Sequence, residues 1–297
     1  MSVKLSVPER ADQMRPPESR TVFGYPRDFL DNRFVYVTVS PRAHGLSVGI
    51  NMNPDRFCNF DCVYCEVSRD TPSVEKKLDV PVMAAELEKT LRLVCSGHIH
   101  NEARYRRLTP DLLQLRHVAL SGDGEPTLSP DFAEAIQAVV HVRTRRSHPF
   151  FKLVLLTNGT WLDLRTVQES LAFFTGEDEI WIKLDAGTQA YMDRINKSEI
   201  SLEKVLQNTL ALGKRRSIVI QSLFAMIGGQ EPPPEEIDQY IHRLNELKDG
   251  GARISLVQIY SATRPMAQPN CGHLPLSSLS FISRRIRVET GLRAEVF

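Results

Sequence analysis

Apolar and polar positions along the chain fall into a repeating order of short strand-like runs and longer helix-like ones. The strand-like runs are apolar and rich in β-branched residues: Phe34–Val39 (FVYVTV), Val48–Asn53 (VGINMN), His117–Gly122 (HVALSG), Lys152–Asn158 (KLVLLTN), Glu179–Asp185 (EIWIKLD), Ser217–Phe224 (SIVIQSLF) and Ile254–Tyr260 (ISLVQIY). Between them, apolar residues recur at helical spacing over Val82–Val94, Pro130–Arg143, Leu162–Phe174, Ser201–Gly213 and Pro234–Lys248, and again over Leu276–Thr290. Ser129-Pro130-Asp131 and Ser201-Leu202-Glu203 read as helix starts, each with a capping serine and an acid near the positive helix end. Strands apolar on both faces and alternating with helices form parallel βαβ units. Six such strands after Phe34–Val39 predict an α/β fold, a partial (β/α)6 barrel with N-terminal and C-terminal extensions; the pattern also fits a doubly wound open sheet. Either architecture gathers reactive residues at the C-terminal edge of the sheet.

Composition narrows the picture. With 297 residues and 42% hydrophobic positions, the chain supports one large domain over 23–297: a barrel core over about 46–262 and a closing segment over 263–297. Residues 1–22 are polar, carry Pro16 and Pro17, and read as a flexible tail. Lys and Arg (37) nearly cancel Asp and Glu (36), which gives no electrostatic reason to expect nucleic acid or an anionic membrane. Short basic runs at Arg143–Arg146 and Lys214–Arg216 read as solvated helix ends. No run approaches ~18 apolar residues and no signal-peptide core is present, so the expected location is the cytoplasm. Five cysteines are too few for a disulfide scaffold, and three of them fall within eight residues, which favours metal binding.

Those three lie in Cys58-Asn59-Phe60-Asp61-Cys62-Val63-Tyr64-Cys65, in the loop after Asn53-Pro54. Zinc generally takes four ligands, and His44, Cys95 or Cys271 would have to supply the fourth. A [4Fe–4S] cluster on three thiolates leaves one iron open to a ligand instead. Three uncommitted thiols this close together would invite oxidation. The x3-then-x2 spacing resembles the signature of the radical S-adenosylmethionine (SAM) superfamily, in which an aromatic residue, here Tyr64, commonly precedes the last cysteine.

The resemblance implies a [4Fe–4S] cluster on Cys58, Cys62 and Cys65, with SAM chelating the open iron through its amine and carboxylate. One electron from the reduced cluster would then break the bond from sulfur to the 5′-carbon, giving methionine and a 5′-deoxyadenosyl radical that abstracts hydrogen from a substrate. It further implies SAM contacts from Phe60 and Tyr64, and from Ser121-Gly122-Asp123-Gly124-Glu125, a close variant of the superfamily's Gly-Gly-Glu element. Glycines there let backbone approach a ligand closely.

Polar residues also end the later strands: Thr157 and Asn158, Lys183 and Asp185, Gln221 and Ser222. In a dry core they would be costly; at a barrel mouth they can hold the ribose hydroxyls and methionine carboxylate of SAM. Asn158-Gly159 is also a favoured turn pair, and Lys183 and Asp185, in phase on one strand face, also suit a structural ion pair. Candidates for work on the substrate are Lys183, Asp185, Tyr260, Arg264 and Cys271. Arg264 can grip a carboxylate or phosphate or be a surface residue, and Cys271 can donate hydrogen, ligate metal or be an ordinary thiol. Cys95 reads as core.

From Gly45 through the cysteine loop, Ser121–Leu128, Lys183–Ala186 and Gln258 to Arg264-Pro265, the chain resembles stand-alone iron–sulfur oxidoreductases related to the wyosine tRNA-base synthases. The likeness runs from roughly Phe23 to Phe297. Those synthases carry a second cluster on three further cysteines upstream, whereas here no cysteine precedes Cys58. The expectation is therefore a small-molecule or peptide substrate, with flavodoxin or ferredoxin as electron donor. A tRNA-modifying enzyme and a zinc-binding interaction module are the alternatives.

Overall fold

The computed structural model describes residues 29–69, 72–145, 147–262 and 270–297. The expected tail over 1–22 and the candidate Arg264 lie outside the described residues. β1 (Val35–Ser40) turns back through Pro41–Ala43 into β2 (Gly45–Asn51), with which it pairs antiparallel. From β2 the sheet continues in parallel through β3 (Leu115–Ser121), β4 (Lys152–Thr157), β5 (Glu179–Lys183) and β6 (Ile218–Leu223). β7 (Ala225–Ile227) leaves it to pair with β9 (Cys271–His273), while β8 (Ile254–Tyr260) and β10 (Ala294–Val296) complete the parallel row. The helices α1 (Val80–Cys95), α2 (Phe132–Thr144), α3 (Arg165–Leu171), α4 (Gln189–Ile195), α5 (Leu202–Arg215), α6 (Pro234–Asp249) and α7 (Leu276–Thr290) connect the strands. The result is the expected α/β partial barrel, extended by β10 beyond the six expected parallel strands.

The sequence explains most of these elements directly. Every residue of β2 and β6 is buried, as parallel strands covered on both faces require. Asp79 caps α1 by accepting from the Val82 N–H at 3.1 Å, and Ser201 caps α5 through the Lys204 N–H at 3.2 Å. At α2 the expected serine cap is replaced: Asp131 is the cap residue, and Ser129 contributes only its backbone oxygen, to the Phe132 N–H. α3 is shorter than its apolar pattern, because a turn from Trp161 to Leu164 precedes it. Cys95, expected in the core, ends α1 in an exposed position.

The sheet separates two apolar regions. The large one lies between strands and helices and includes Val48, Leu120, Leu155, Ile182, Ile220 and Ile259. The small one, Val154, Trp181 and Val219 with Leu156 and Leu256, fills the concave interior. Its depth is marked by His117 on β3 meeting Trp181 on β5 edge to face at 5.4 Å, across the intervening β4. Lys152 and Glu179 pair at 2.6 Å beside them, and Trp181 donates to Glu179 at 2.8 Å. The concave interior is thus packed at the N-terminal end of the strands and becomes polar toward their C-terminal ends.

Candidate active site

The cysteine loop springs from the C-terminal end of β2 and is tied down from three sides. The Asp61 and Val63 N–H groups donate to the Asn196 and Ile195 carbonyls at the end of α4, each at 2.9 Å. Asn59 donates to Thr160 at 2.9 Å and accepts from Asn158 at 2.8 Å, which joins the loop to the turn after β4. The Glu125 N–H donates to the Phe57 carbonyl at 3.1 Å, which joins it to the turn after β3. At that point only glycine fits: a Cβ on Gly124 would run into the Phe57 carbonyl oxygen. Gly122 adopts φ 136°, where a side chain is strained and would also meet Asn51.

Cys58, Cys62 and Cys65 are all free and half-buried. The Phe60 N–H donates to Cys58 Sγ at 3.4 Å, and Asn196 Nδ2 to Cys62 Sγ at 3.3 Å. Donors aimed at sulfur are what a thiolate ligand needs once it has lost its proton. Burial pushes the Cys58 thiol up to about 12 and the Cys62 thiol up to about 11, so metal binding must displace protons from both. Among the described residues no three His, Cys, Asp or Glu side chains stand close enough to hold one metal ion. The donor set, three thiols on one anchored loop with N–H groups on two sulfurs, fits a [4Fe–4S] group.

Across the mouth, Asp185 ties the cysteine loop to β5 and β6. Its Oδ2 accepts from the Tyr64 hydroxyl and, at 2.9 Å, from Asn196 Nδ2; its Oδ1 accepts from the Leu223 N–H at 2.8 Å. Lys183 Nζ lies 3.8 Å from Asp185 and donates to the Tyr260 hydroxyl at 2.9 Å. Burial alone would lower the Lys183 ammonium's pKa, but Asp185, Tyr260 and Cys62 outweigh it and hold it above the usual lysine range. Burial, then the neighbouring Asp185 charge, holds the Tyr64 phenol well above its ordinary value. Lys183 and Asp185 thus form the ion pair, at the C-terminal end of β5.

Glu125 is buried and committed. One carboxylate oxygen accepts from Thr127 N at 3.2 Å, Thr127 Oγ1 at 2.7 Å and Thr157 Oγ1 at 2.5 Å; the other accepts from Asn158 N at 2.7 Å. Burial raises its pKa and these bonds oppose the rise. It braces the β3 and β4 turns together. Asp123 exchanges two hydrogen bonds with the Asn51 side chain, at 2.9 and 2.7 Å, and burial pushes its carboxyl up to about 7. Ser121 meets the Tyr36 hydroxyl at 2.8 Å.

Of the expected residues, Gln221 faces the interior, donating to Gln258 at 3.2 Å and accepting from Tyr260 at 3.4 Å. Ser222, expected beside SAM, points the other way. It donates to the Leu184 carbonyl at 2.6 Å and meets the Tyr240 hydroxyl of α6 at 2.5 Å, because neighbouring strand residues face opposite sides. Cys271 opens β9, where it is buried in the large core opposite Ile227 of β7 and away from the expected role on the substrate. Asn196, Asn59, Asn51 and Gln258 are site residues that the sequence pattern does not single out. Asn196 caps the C-terminus of the seven-residue α4, whose pattern is too short to stand out, and α4 is in turn aligned by Glu236, which accepts from Thr188 Oγ1 at 2.6 Å and from the Gly187 N–H at 2.5 Å.

The family model described as the radical SAM superfamily matches residues 52–244. A UPF0026 protein of Helicobacter pylori (strain J99) is 26% identical over 187 residues, covering 61% of this chain and 52% of that protein. The UPF0026 protein slr1464 of Synechocystis is 27% identical over 176 residues, covering 58% of this chain and 56% of its own. The chain thus matches about half the length of these curated relatives. Among solved structures, a radical SAM methyltransferase from Sphaerobacter thermophilus has a TM-score of 0.62 at 14% identity, covering 89% of this chain and 68% of that one. SuiB of Streptococcus suis, bound to SAM, has a TM-score of 0.57 at 14% identity, covering 82% and 49%. At such identities the likeness is one of fold.

Proposed function

Because the chain belongs to the radical SAM superfamily, we propose that its barrel mouth holds a [4Fe–4S] cluster on Cys58, Cys62 and Cys65 beside SAM, and acts on a small-molecule or peptide substrate. Membership makes the protein a radical SAM enzyme, with the cluster and SAM as cofactors and with need of a reductant and a substrate. When bound, the cluster supplies the electron that cleaves SAM reductively, the source of the hydrogen-abstracting species.

The observation that carries the residue-level reading is the convergence at the strand C-terminal ends of the three-thiol loop with the Tyr64–Asp185–Lys183–Tyr260 network. In this reading the Phe60 and Asn196 N–H groups stabilise thiolates, and Asp185 fixes the Tyr64 ring beside the cysteines. Ser121–Glu125, Thr157, Asn158 and Gln221 form the rim that receives SAM, Glu125 by bracing the two turns. Lys183 and Tyr260 present an ammonium and a hydroxyl to the interior, on the substrate's side. Flavodoxin or ferredoxin is the proposed reductant and the cytoplasm the proposed location, where clustered thiols stay reduced.

The test is anaerobic incubation of reconstituted enzyme with dithionite and SAM, with yield of 5′-deoxyadenosine as readout. Separate additions of small carboxylates and phosphate esters, peptide pools and bulk tRNA then report the substrate class. A rise with small molecules or peptides supports the reading; a rise with tRNA alone contradicts it.

A further inference from the structure

Arg42 lies in the turn Pro41–Ala43 between β1 and β2, yet its side chain reaches the far side of the sheet. Its guanidinium sits 4.3 Å from the centre of the Tyr260 ring on β8. Next to it, His44 meets Phe297, just beyond β10, at 5.8 Å between ring centres. The turn therefore closes the seam between the first and last strands. The Arg42 charge also acts on His117 of β3. The Tyr260 hydroxyl accepts from Lys183 and donates to Gln221, so the guanidinium stacked on its ring stands beside the polar interior.

That cation is half-buried. Among the described residues no carboxylate pairs with Arg42, and its Nε is buried without a hydrogen-bond partner. The neighbouring cation, Lys183, is balanced by Asp185 at 3.8 Å. Stacking on Tyr260 accounts for the face of the guanidinium and leaves its edge donors open. A buried donor without a partner carries a desolvation penalty, and such groups in folded proteins have a reason to persist. A guanidinium edge is also the fork that matches a carboxylate or phosphate bidentately.

We propose that Arg42 is the cation that recognises an anionic group, a carboxylate or a phosphate, on the substrate. This rests on the reading of the concave interior as the substrate chamber. The ring of Tyr260 then does two things: it carries Arg42 on its face and links its hydroxyl to Lys183, so that the anion is seated next to the network leading to Tyr64 and the cysteine loop.

The test is calorimetric titration of the full chain, cluster reconstituted and SAM omitted, with inorganic phosphate and separately with acetate at ionic strength fixed by chloride. At least one probe binds saturably, and which one binds separates the two anion chemistries. Arg42→Gln weakens that binding about 10- to 100-fold, the loss expected for a bidentate charge-assisted contact. Arg42→Lys, which keeps a cation over the ring but not the fork, weakens it less and guards against misfolding of the first variant. Saturation by neither probe, or equal affinity in the parental protein and both variants, would overturn the proposal. So would loss of SAM affinity in Arg42→Gln with probe binding intact, since the anion held would then be that of SAM. A protein that binds the probe through Arg42 yet never cleaves SAM would sink the preceding reading instead, and the two failures are thereby separable.

Discussion

Asp185→Asn has a cost that can be worked from the geometry. The carboxylate accepts from Tyr64 and Asn196 on one oxygen and from the Leu223 N–H on the other, with Lys183 Nζ at 3.8 Å. At an effective dielectric of about 20, unit charges at that distance attract by about 4 kcal/mol. The Lys183 side chain keeps 20% exposure, so solvent screening leaves about 2–4 kcal/mol of it. Asparagine preserves the acceptor for Leu223 but sets an amide donor against the Tyr64 and Asn196 donors. Each unmet buried donor adds about 1–3 kcal/mol, and the terms do not simply add. The variant should lose about 3–5 kcal/mol of stability, the usual cost of stranding one member of a buried pair. Adding Lys183→Met removes the stranded ammonium, so the double variant should be more stable than the sum of the single effects by about 2–4 kcal/mol. Equilibrium urea unfolding of the four proteins at one pH measures this. Additive single effects, or an Asp185→Asn cost below about 1 kcal/mol, would refute the assignment of this carboxylate as the node of the mouth.

Three further outcomes follow from the structure. Burial, with help from Lys152 and Arg42, holds the His117 imidazole down to about 3, whereas an unfolded histidine titrates near 6.5. The stability this neutral histidine permits is complete above pH 6.5 and is lost as pH falls toward 3. Unfolding free energy should drop by about 2 kcal/mol more between pH 7.5 and 5 in the parental protein than in His117→Phe, and parallel pH profiles would contradict this. Gly124→Ala forces a methyl against the Phe57 carbonyl, so iron incorporation on reconstitution should fall several-fold; normal iron content would show that the two turns are not rigidly joined. Ser222→Ala should cost about 1–2 kcal/mol of stability while leaving the dissociation constant for SAM unchanged, and a weakened SAM complex would restore Ser222 to the mouth.

The legible part of the fold was the part with a period. β3 to β6 and β8 are long, apolar on both faces and separated by helical spacing, and they appear close to where the pattern puts them. β7, β9 and β10 have three residues each, too few for alternation to register, and α4 has seven. β2 begins at Gly45, three residues before its apolar run, because pairing with β1 and β3 sets its start. Within the site, the cysteine spacing and the glycines of Gly122-Asp123-Gly124 could be read because local chemistry demands them. Asn196 and Arg42 could not, since each acquires its role from residues more than a hundred positions away. Ser222 was misplaced for a reason the chain itself contains: beside Gln221 on a strand, it must face the opposite side.

The central claim is that Cys58, Cys62 and Cys65 carry the cluster on which SAM is cleaved. The direct measurement is 5′-deoxyadenosine formed per enzyme under anaerobic reduction with SAM, in the reconstituted parental protein and in Cys58→Ala, with iron and sulfide determined on the same samples. The account predicts about four irons and measurable 5′-deoxyadenosine in the parental protein, and none of the product in the variant. Parental protein holding stoichiometric zinc without iron, or Cys58→Ala cleaving SAM at the parental rate, would contradict it.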